Sequence, residues 1–417
     1  MEILISGASI AGPVLAYWLK RHGFRPTVVE RAPTLRKTGG HAVDLFRPAM
    51  DIVERMGVLA RVEAKKTGTE RMTLLREGVQ RQVDVDVGRL MHAVSDRHVE
   101  IMRDDLSEIF HDATRDDVEY VFGDSIASLA EDEAGVDVTF ERGAPRRFDL
   151  VIGADGLHSN VRRLVFGEER QFARFIGAYL AVISIPNYLQ LHDHAVVLGG
   201  VGRMAAIYGS HTIDDARAVF LFRSPRELDV HHRDVARQKQ LLREAFAGAG
   251  WEVPRLMAEL DRTPAFYFDS ITQLRMDSWS RGRVTLTGDA GYSPGPAVGG
   301  STSLAVVGAY VLAGELAAAG GDHARAFQAC ERKLADYVRR SRVFALNAAR
   351  RLVPGSQFEL WALAQIGRLV SVAPRGVSRA LAKLSSHGVR LHDSIALNEY
   401  ARAPTAVRQP AVLAGGP

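Results

Sequence analysis

Ile3-Leu4-Ile5-Ser6-Gly7-Ala8-Ser9-Ile10-Ala11-Gly12 opens the chain, and after a helix-length interval Thr27-Val28-Val29-Glu30 follows. The first apolar run has the texture of a buried strand. Residues Ala11 to His22 carry helical periodicity, and Gly23 stops the helix. Gly7 permits a sharp strand-to-helix turn, Ser9 stands where a second glycine usually lets a pyrophosphate approach, and Gly12 lets the helix pack closely on the strand. The helix start at Ile10 and Ala11 offers free N–H groups and a partial charge of about +0.5 to an anion. Glu30, at the end of the second strand, accepts hydrogen bonds from a ribose 2′-hydroxyl and repels a 2′-phosphate, which favours FAD or NAD over NADP. Arg31 reaches either the adenine side or solvent.

Two later segments repeat the theme of a buried strand delivering an acid. Asp149-Leu150-Val151-Ile152-Gly153-Ala154-Asp155-Gly156 runs into a polar turn in which Ser159 is placed to cap a helix. Val284-Thr285-Leu286-Thr287-Gly288-Asp289 runs into a Gly/Pro-rich turn and a helix from Thr302. Ligands of open α/β sheets sit at the carboxyl ends of strands, where an acid can bind sugar hydroxyls and a helix start can face an anion. Between these segments the texture changes to β strands at Leu180–Ile185, Ala195–Leu198, Met204–Tyr208 and Ala218–Phe222, interrupted by a helix over Val235–Phe246. Earlier, one amphipathic helix is expected over Ala49–Ala60, closed near Gly57. The predicted class is α/β: a Rossmann-like, discontinuous FAD-binding domain over 1–171 and 266–345, and a β-sheet substrate domain over 172–265. C-terminal helices follow over 346–402, then a flexible tail over 403–417.

Bulk properties narrow the function classes. The 417 residues are 47% hydrophobic and 24% charged, with a formal net charge of +4, ordinary for a soluble globular chain. No dense Lys/Arg block with interleaved aromatics is present, so nucleic-acid binding is not indicated. The lone Cys330 excludes an internal disulfide and a cysteine metal cluster; it is expected to be a structural thiol in a helix. The histidines at 192, 194, 231 and 232 are too isolated to serve as ligands, so no metal is expected. No signal-peptide pattern opens the chain, and the longest apolar stretch, Leu304–Ala319, is broken by Glu315 and falls short of the ~20 residues that span a bilayer. A cytoplasmic protein without membrane contact, monomeric or weakly dimeric, is expected.

The three strand-end segments together resemble the single-component FAD-dependent aromatic hydroxylases, the para-hydroxybenzoate hydroxylase-like monooxygenases, and within them the tetracycline-inactivating branch, over about Ile3 to Ala313. The resemblance implies that Gly7, Ser9, Gly12 and Glu30 hold the ADP half of FAD. It implies that Asp155 and Gly156 serve FAD and the nicotinamide donor, and that Asp289 contacts the ribityl chain. Gly39-Gly40-His41-Ala42-Val43-Asp44-Leu45 resembles a Gly-Gly-x-x-x-Asp-Leu stretch whose acid, here Asp44, touches FAD. Arg103 matches a helix-start arginine on the cofactor, and Lys37 falls where that branch has a basic residue near NADPH. A helix start after Gly299 would face the pyrimidine edge of the flavin. The implied activity is hydroxylation of an aromatic or polyketide-like small molecule with O₂ and NADPH or NADH, through a C4a-hydroperoxyflavin. Tyr208, Phe220 and Phe222 are candidate substrate contacts on the β-rich domain, with ordinary core packing as the competing reading. No catalytic acid or base is assigned.

The chain also departs from that family. Gly-Asp-Ala-Ala-His becomes Gly288-Asp289-Ala290-Gly291-Tyr292, Gly-Gln-Gly becomes Gly299-Gly300-Ser301, the following Asn becomes Ser303, and an acid along the helix becomes Gly308. Rival readings remain a nicotinamide-dependent dehydrogenase, a flavin-dependent reductase or halogenase on the same fold, and a non-catalytic flavin-binding protein. No Trp-x-Trp-x-Ile-Pro stretch of the halogenases is present.

Overall fold

The computed structural model describes residues 1–35, 40–87, 97–296, 300–372 and 395–400. Lys37 and Gly299 lie outside them. Strand Glu2–Ser6 sits inside a six-stranded sheet ordered Ser280–Arg281, Val284–Leu286, Leu150–Gly153, Glu2–Ser6, Arg25–Glu30 and Glu119–Phe122. All neighbours are parallel except the Ser280–Arg281 edge. Parallel strands are buried on both faces, which is why Ile3–Ile5 and Leu150–Ile152 are apolar at every position rather than alternating. Helix Ala11–Arg21 returns the chain from the first strand to the second. It packs on helix Ser301–Ala318, with Trp18 and Tyr310 meeting edge to face at 4.8 Å.

Helix Ser301–Ala318 is long and apolar enough to cross a membrane by length and composition, yet most of it is buried inside the fold. Helices Ala11–Arg21, Arg47–Arg55 and His323–Leu352 surround it, so it is apolar all round for the reason any central core helix is. Cys330 is buried on the last of these helices, as expected of a structural thiol.

The second sheet has seven strands, ordered Phe266–Leu274, Ala173–Pro186, Asp215–Arg223, Arg203–Gly209, His194–Gly200, Arg71–Arg76 and Val79–Asp86. Its four strands between residues 173 and 223 all run longer than the sequence pattern gives, and Ala173–Pro186, with 14 residues, is more than twice the expected Leu180–Ile185. The expected domain limits need correction at three points. The hairpin Arg71–Asp86 adds to this sheet through parallel pairing with His194–Gly200, and Phe266–Leu274 pairs antiparallel with Ala173–Pro186. Local alternation shows that a segment is a strand and not which sheet supplies its hydrogen bonds. Helix His323–Leu352 also runs unbroken through the expected boundary at 345. The helix expected over Ala49–Ala60 spans Arg47–Arg55 and closes near Gly57, with φ +76°, as expected; beyond it the chain starts a second helix, Leu59–Ala64. A short helix, Val253–Glu259, went unread.

The two faces of the seven-stranded sheet have different partners. One is sealed by helices Val235–Ala245 and Val253–Glu259, which bring Leu241, Leu242, Val253 and Leu256 onto it. The other receives Ala345 and Ala349 of helix His323–Leu352 and Ala364 of helix Gln357–Val372, and elsewhere it faces the antiparallel ribbon Ala42–Leu45/Val99–Met102. The space between that ribbon, this face and the carboxyl edge of the parallel sheet is where the candidate site residues gather.

Candidate active site

The order of the parallel sheet settles how the three motifs meet. Glu30, Gly7, Asp155 and Asp289 lie at or just beyond the carboxyl ends of four adjacent strands. Three inter-strand gaps of about 4.8 Å make an edge of about 14 Å, the scale of an extended dinucleotide.

At the first turn, Gly7 has φ +108°, and a Cβ there would stand 2.4 Å from the carbonyl oxygen of Ala154; a Cβ on Gly12 would stand 1.9 Å from that of Gly7. Both glycines are therefore required by backbone contact. The Glu30 carboxylate accepts N–H bonds from Ala8 at 2.9 Å and Ala32 at 2.8 Å, so it braces the turn it faces. Helix Ala11–Arg21, with Ile10 at its cap position, has no side-chain cap and no acid in its first turn. Ser9 is held from two sides: its Oγ accepts from Arg103 Nη2 at 3.2 Å, and its carbonyl accepts from Ser107 Oγ at 3.0 Å. Arg31 is exposed to solvent.

At the second strand end, Asp155 accepts from Ser159 Oγ at 2.5 Å, from the Asn160 and Val161 N–H groups at 2.9 and 3.1 Å, and from Ser6 Oγ at 3.4 Å. Burial raises its pKa against these bonds. Its carboxylate thus organises helix Asn160–Val165 and ties it to the first strand, with Ser159 acting as the expected N-cap. Gly156, with φ +82°, has open space where a Cβ would be. Sequence reasoning gave Arg162 no role. It is 1% exposed and donates to Ala290 O, Leu157 O and Glu169 at 2.9, 2.6 and 2.6 Å, joining the second strand end to the third.

At the third, Gly288 has φ +62° and hands the chain to Asp289. Burial pushes the Asp289 pKa up, opposed by the positive charge of Arg103 and a hydrogen bond with Ser293. Arg103 also acts electrostatically on His41, lowered to about 4 by burial first and by this cation second, and on Tyr267, raised well above its ordinary value by burial. The rings of His41 and Tyr267 lie 5.6 Å apart. Arg103 therefore links Ser9, by a hydrogen bond, with Asp289, His41 and Tyr267, which lie within reach of its charge. Each of His41, Tyr267 and Asp289 is enclosed by protein yet keeps a partly accessible surface, as cleft-lining groups do.

Asp44 lies on the ribbon opposite Glu100, and His98 Nε2 meets its Oδ1 at 2.7 Å. Burial works against charge on His98, but the hydrogen bond and charge of Asp44, with Glu100, outweigh it and raise the His98 pKa. Burial, then the Asp44 charge, raises that of Glu100.

The substrate-side candidates divide. Tyr208 lies on the ribbon-facing side of the seven-stranded sheet, where its hydroxyl accepts the Ala42 N–H at 3.0 Å. Phe220 and Phe222 do not: they belong to the sealed core on the opposite face, packed against Phe246 and Tyr179. Pairing decides this, since Tyr208 stands opposite Arg217, an odd number of residues from Phe220, and side chains alternate faces with period two. Arg217 was also missed; it is 5% exposed, pairs with Asp215 and donates to Gly40 O at 3.2 Å. A lone cation within Ala216-Arg217-Ala218-Val219 was the available signal.

The departures from the family pattern prove to be mutually fitted. Tyr292, 1% exposed, hydrogen-bonds Thr287 Oγ1 at 3.0 Å and packs on Trp279 with ring centres 4.4 Å apart. Its hydroxyl occupies the place of a side chain at 308: a Cβ there would lie 1.9 Å away. Ser303 is fully buried; its Oγ accepts the Phe46 N–H at 2.9 Å and donates to Asp44 O at 3.1 Å, locking the helix start to the ribbon.

The groups along this edge suit FAD. Two helix starts, at Ile10 and at Gly300, have no side-chain cap and leave N–H groups for anionic parts, and Glu30 and the poorly neutralised Asp289 stand at opposite ends for sugar hydroxyls. Comparison with known proteins agrees. The model of the FAD binding domain family matches residues 1–351. An uncharacterized protein of Mycobacterium tuberculosis (strain ATCC 25618 / H37Rv) is 46% identical over 326 residues, covering 78% of this chain and 87% of that one. A flavin-dependent monooxygenase of an unknown prokaryotic organism is 40% identical over 352 residues, covering 83% and 88%. The crystal structure of the tetracycline destructase Tet(51) superposes with a TM-score of 0.80 at 33% identity, covering 96% of this chain and 99% of the other. The chain belongs to the FAD-binding family of flavoprotein monooxygenases, enzymes that use FAD, O₂ and NAD(P)H for oxygenation.

Proposed function

We propose that this chain hydroxylates an aromatic or polyketide-like small molecule, with FAD lying along the carboxyl edge of the parallel sheet and the substrate between the ribbon and the seven-stranded sheet. The observation that carries the reading is the alignment of Glu30, Gly7, Asp155 and Asp289 on four neighbouring strand ends beside Arg103. When bound, FAD supplies electron transfer from NAD(P)H and activation of O₂.

The chain's own groups do the rest. Glu30 takes a ribose hydroxyl and the Ile10–Ala11 helix start takes the pyrophosphate. Arg103, anchored on Ser9, offsets negative charge between the pyrophosphate and Asp289, which accepts from the ribityl hydroxyls. Asp155 keeps the second strand end in shape through Ser159 and Ser6, and so would support the cofactor indirectly. Tyr208 and Tyr267 present aromatic faces with hydroxyls to a flat substrate, and Arg217 stiffens the Gly40 backbone beside them. Helix Gln357–Val372 closes one side of the sheet face and helps exclude water. Tet(51), named a tetracycline destructase, places tetracyclines among the substrates to be tried.

The test is a panel of phenols, polyketides and tetracyclines with the FAD-loaded protein. At least one compound should accelerate NAD(P)H oxidation and give a product heavier by one oxygen. If no compound gives both signals, the hydroxylase reading fails.

A further inference from the structure

The backbone on either side of His41 is tied down from three elements, while its side chain is tied to nothing. The Gly40 N–H donates to Asp104 Oδ2 at 2.8 Å, and Arg217 Nε donates to Gly40 O at 3.2 Å. The Arg103 N–H donates to His41 O at 3.1 Å, and the Ala42 N–H donates to the Tyr208 hydroxyl at 3.0 Å. These partners come from helix Arg103–Asp112 and from strands Arg203–Gly209 and Asp215–Arg223. A Cβ on Gly40 would lie 2.5 Å from Asp104 Oδ1, so the glycine is what admits that carboxylate. Arg217 is held in turn by Asp215. The His41 ring stands 5.6 Å from that of Tyr267. Neither of its nitrogens has a hydrogen-bond partner among the described residues, and neither is closed off by protein.

An enclosed polar side chain without a partner is an exception that calls for a use, and a fixed backbone under an open side chain is how binding groups are kept in place. We propose that His41 is a specificity-determining residue: its imidazole accepts the hydrogen bond of a phenol or enol hydroxyl on the substrate, and so selects hydroxyl-bearing rings over carboxylates. The inference rests on the hydroxylase reading and deepens it by naming the substrate group that is read. Its place suits the task, since Tyr208 and Tyr267 flank the same stretch of the ribbon and offer faces for the substrate ring. A hydroxyl that donates to imidazole gains electron density on its oxygen and passes it to the ring, which favours attack by an electrophilic oxygen.

The surroundings favour an uncharged ligand group. Burial first, and the Arg103 cation second, hold the His41 pKa down at about 4 against the charge of Asp44. The ring is therefore neutral at neutral pH, with one N–H donor and one bare nitrogen that accepts. A bare nitrogen matches an O–H; an ionised carboxylate has no proton to offer it. The cations named around this part of the cleft are already engaged. Arg103 is on Ser9, Arg217 is on Asp215 and Gly40 O, and His98 is on Asp44. A substrate carboxylate would thus meet no open cation there and would be repelled by Asp44, whose charge reaches the His41 ring.

The experiment reads the ring itself, in FAD-loaded protein without NAD(P)H, and so stands apart from turnover. Nitrogen-15 spectra of the histidine rings are recorded with phenol, anisole or benzoate as the probe, and the His41 signals are assigned by their loss in His41→Gln. Free protein at neutral pH should show one protonated and one bare nitrogen on His41. Phenol should move the bare nitrogen toward the hydrogen-bonded position; anisole, which has no O–H, and benzoate should leave it in place. Titrations followed by flavin absorbance should show phenol binding His41→Phe about 10–100-fold more weakly than wild type. His41→Gln, which keeps an uncharged acceptor, should recover binding to within about threefold. If His41→Phe does not hold FAD, the wild-type spectra decide alone. A His41 protonated on both nitrogens, no shift with saturating phenol, or a shift with benzoate as large as with phenol would overturn the proposal. Should phenol move His41 while no compound of the panel is hydroxylated, the recognition stands and the hydroxylase reading alone falls.

Discussion

Gly308→Ala is the sharpest test of how the Tyr292 hydroxyl and Gly308 are fitted together. On a helix propensity scale the change should stabilise by about 1 kcal/mol, since glycine is the poorer helix former. The structure predicts the opposite sign. The new Cβ would lie 1.9 Å from the Tyr292 hydroxyl and 3.0 Å from its ring carbon Cζ, and Tyr292 cannot step aside because it is 1% exposed and wedged on Trp279. Overpacking a core typically costs about 1–3 kcal/mol. Displacing the hydroxyl also breaks its bond to Thr287, and leaving a buried polar group unpaired costs about 1–3 kcal/mol. The net expectation is a loss of about 1–5 kcal/mol, because the steric and polar penalties together exceed the propensity gain. Urea unfolding followed by tryptophan fluorescence measures it, with Trp279 as a local probe. Tyr292→Phe removes the atom at 1.9 Å, so the double variant should recover much of the loss and the cycle should show coupling of more than about 1 kcal/mol. A Gly308→Ala protein as stable as the wild type, or single effects that add within about 0.5 kcal/mol, would refute the reasoning.

Four further variants have expected outcomes. Asp289→Asn should weaken FAD binding about 10–100-fold, the worth of a charge-assisted hydrogen bond, read by flavin fluorescence titration. Because burial holds the Asp289 pKa above its ordinary value, the folded state binds that proton more tightly than the unfolded one. Stability therefore falls as pH rises through the raised pKa, and FAD-free Asp289→Asn should melt higher than wild type at neutral pH, with the gap closing in acid. The His158 pKa is raised too, so the pH dependence has the same sign, but His158→Ala destabilises: the stabilisation is fully present below about pH 6.5 and is lost as pH rises toward about 10, so thermal scans should show a penalty on the order of 3–5 kcal/mol in mild acid that fades in alkali. Phe220→Ala should cost about 3–5 kcal/mol by urea unfolding and leave the bound flavin spectrum unchanged, because the ring lies in the sealed core; Tyr208→Phe should alter that spectrum through the unpaired Ala42 N–H.

By itself the sequence determined the parallel sheet, the turn at Gly7–Gly12, the capping of a helix by Ser159, and acids at three strand ends. All of these are local, since a buried strand, a tight turn and a helix start each leave their mark within a few neighbouring residues. Tertiary structure alone decided which strands are neighbours, and so brought Glu30, Asp155 and Asp289 onto one edge from 259 residues of separation between first and last. It moved the hairpin Arg71–Asp86 into the second sheet, turned Phe220 and Phe222 away from the cleft, and matched Tyr292 with Gly308. Pairing register, the face a side chain takes and the filling of a void all depend on residues far away in the chain, and no periodicity within a segment records them.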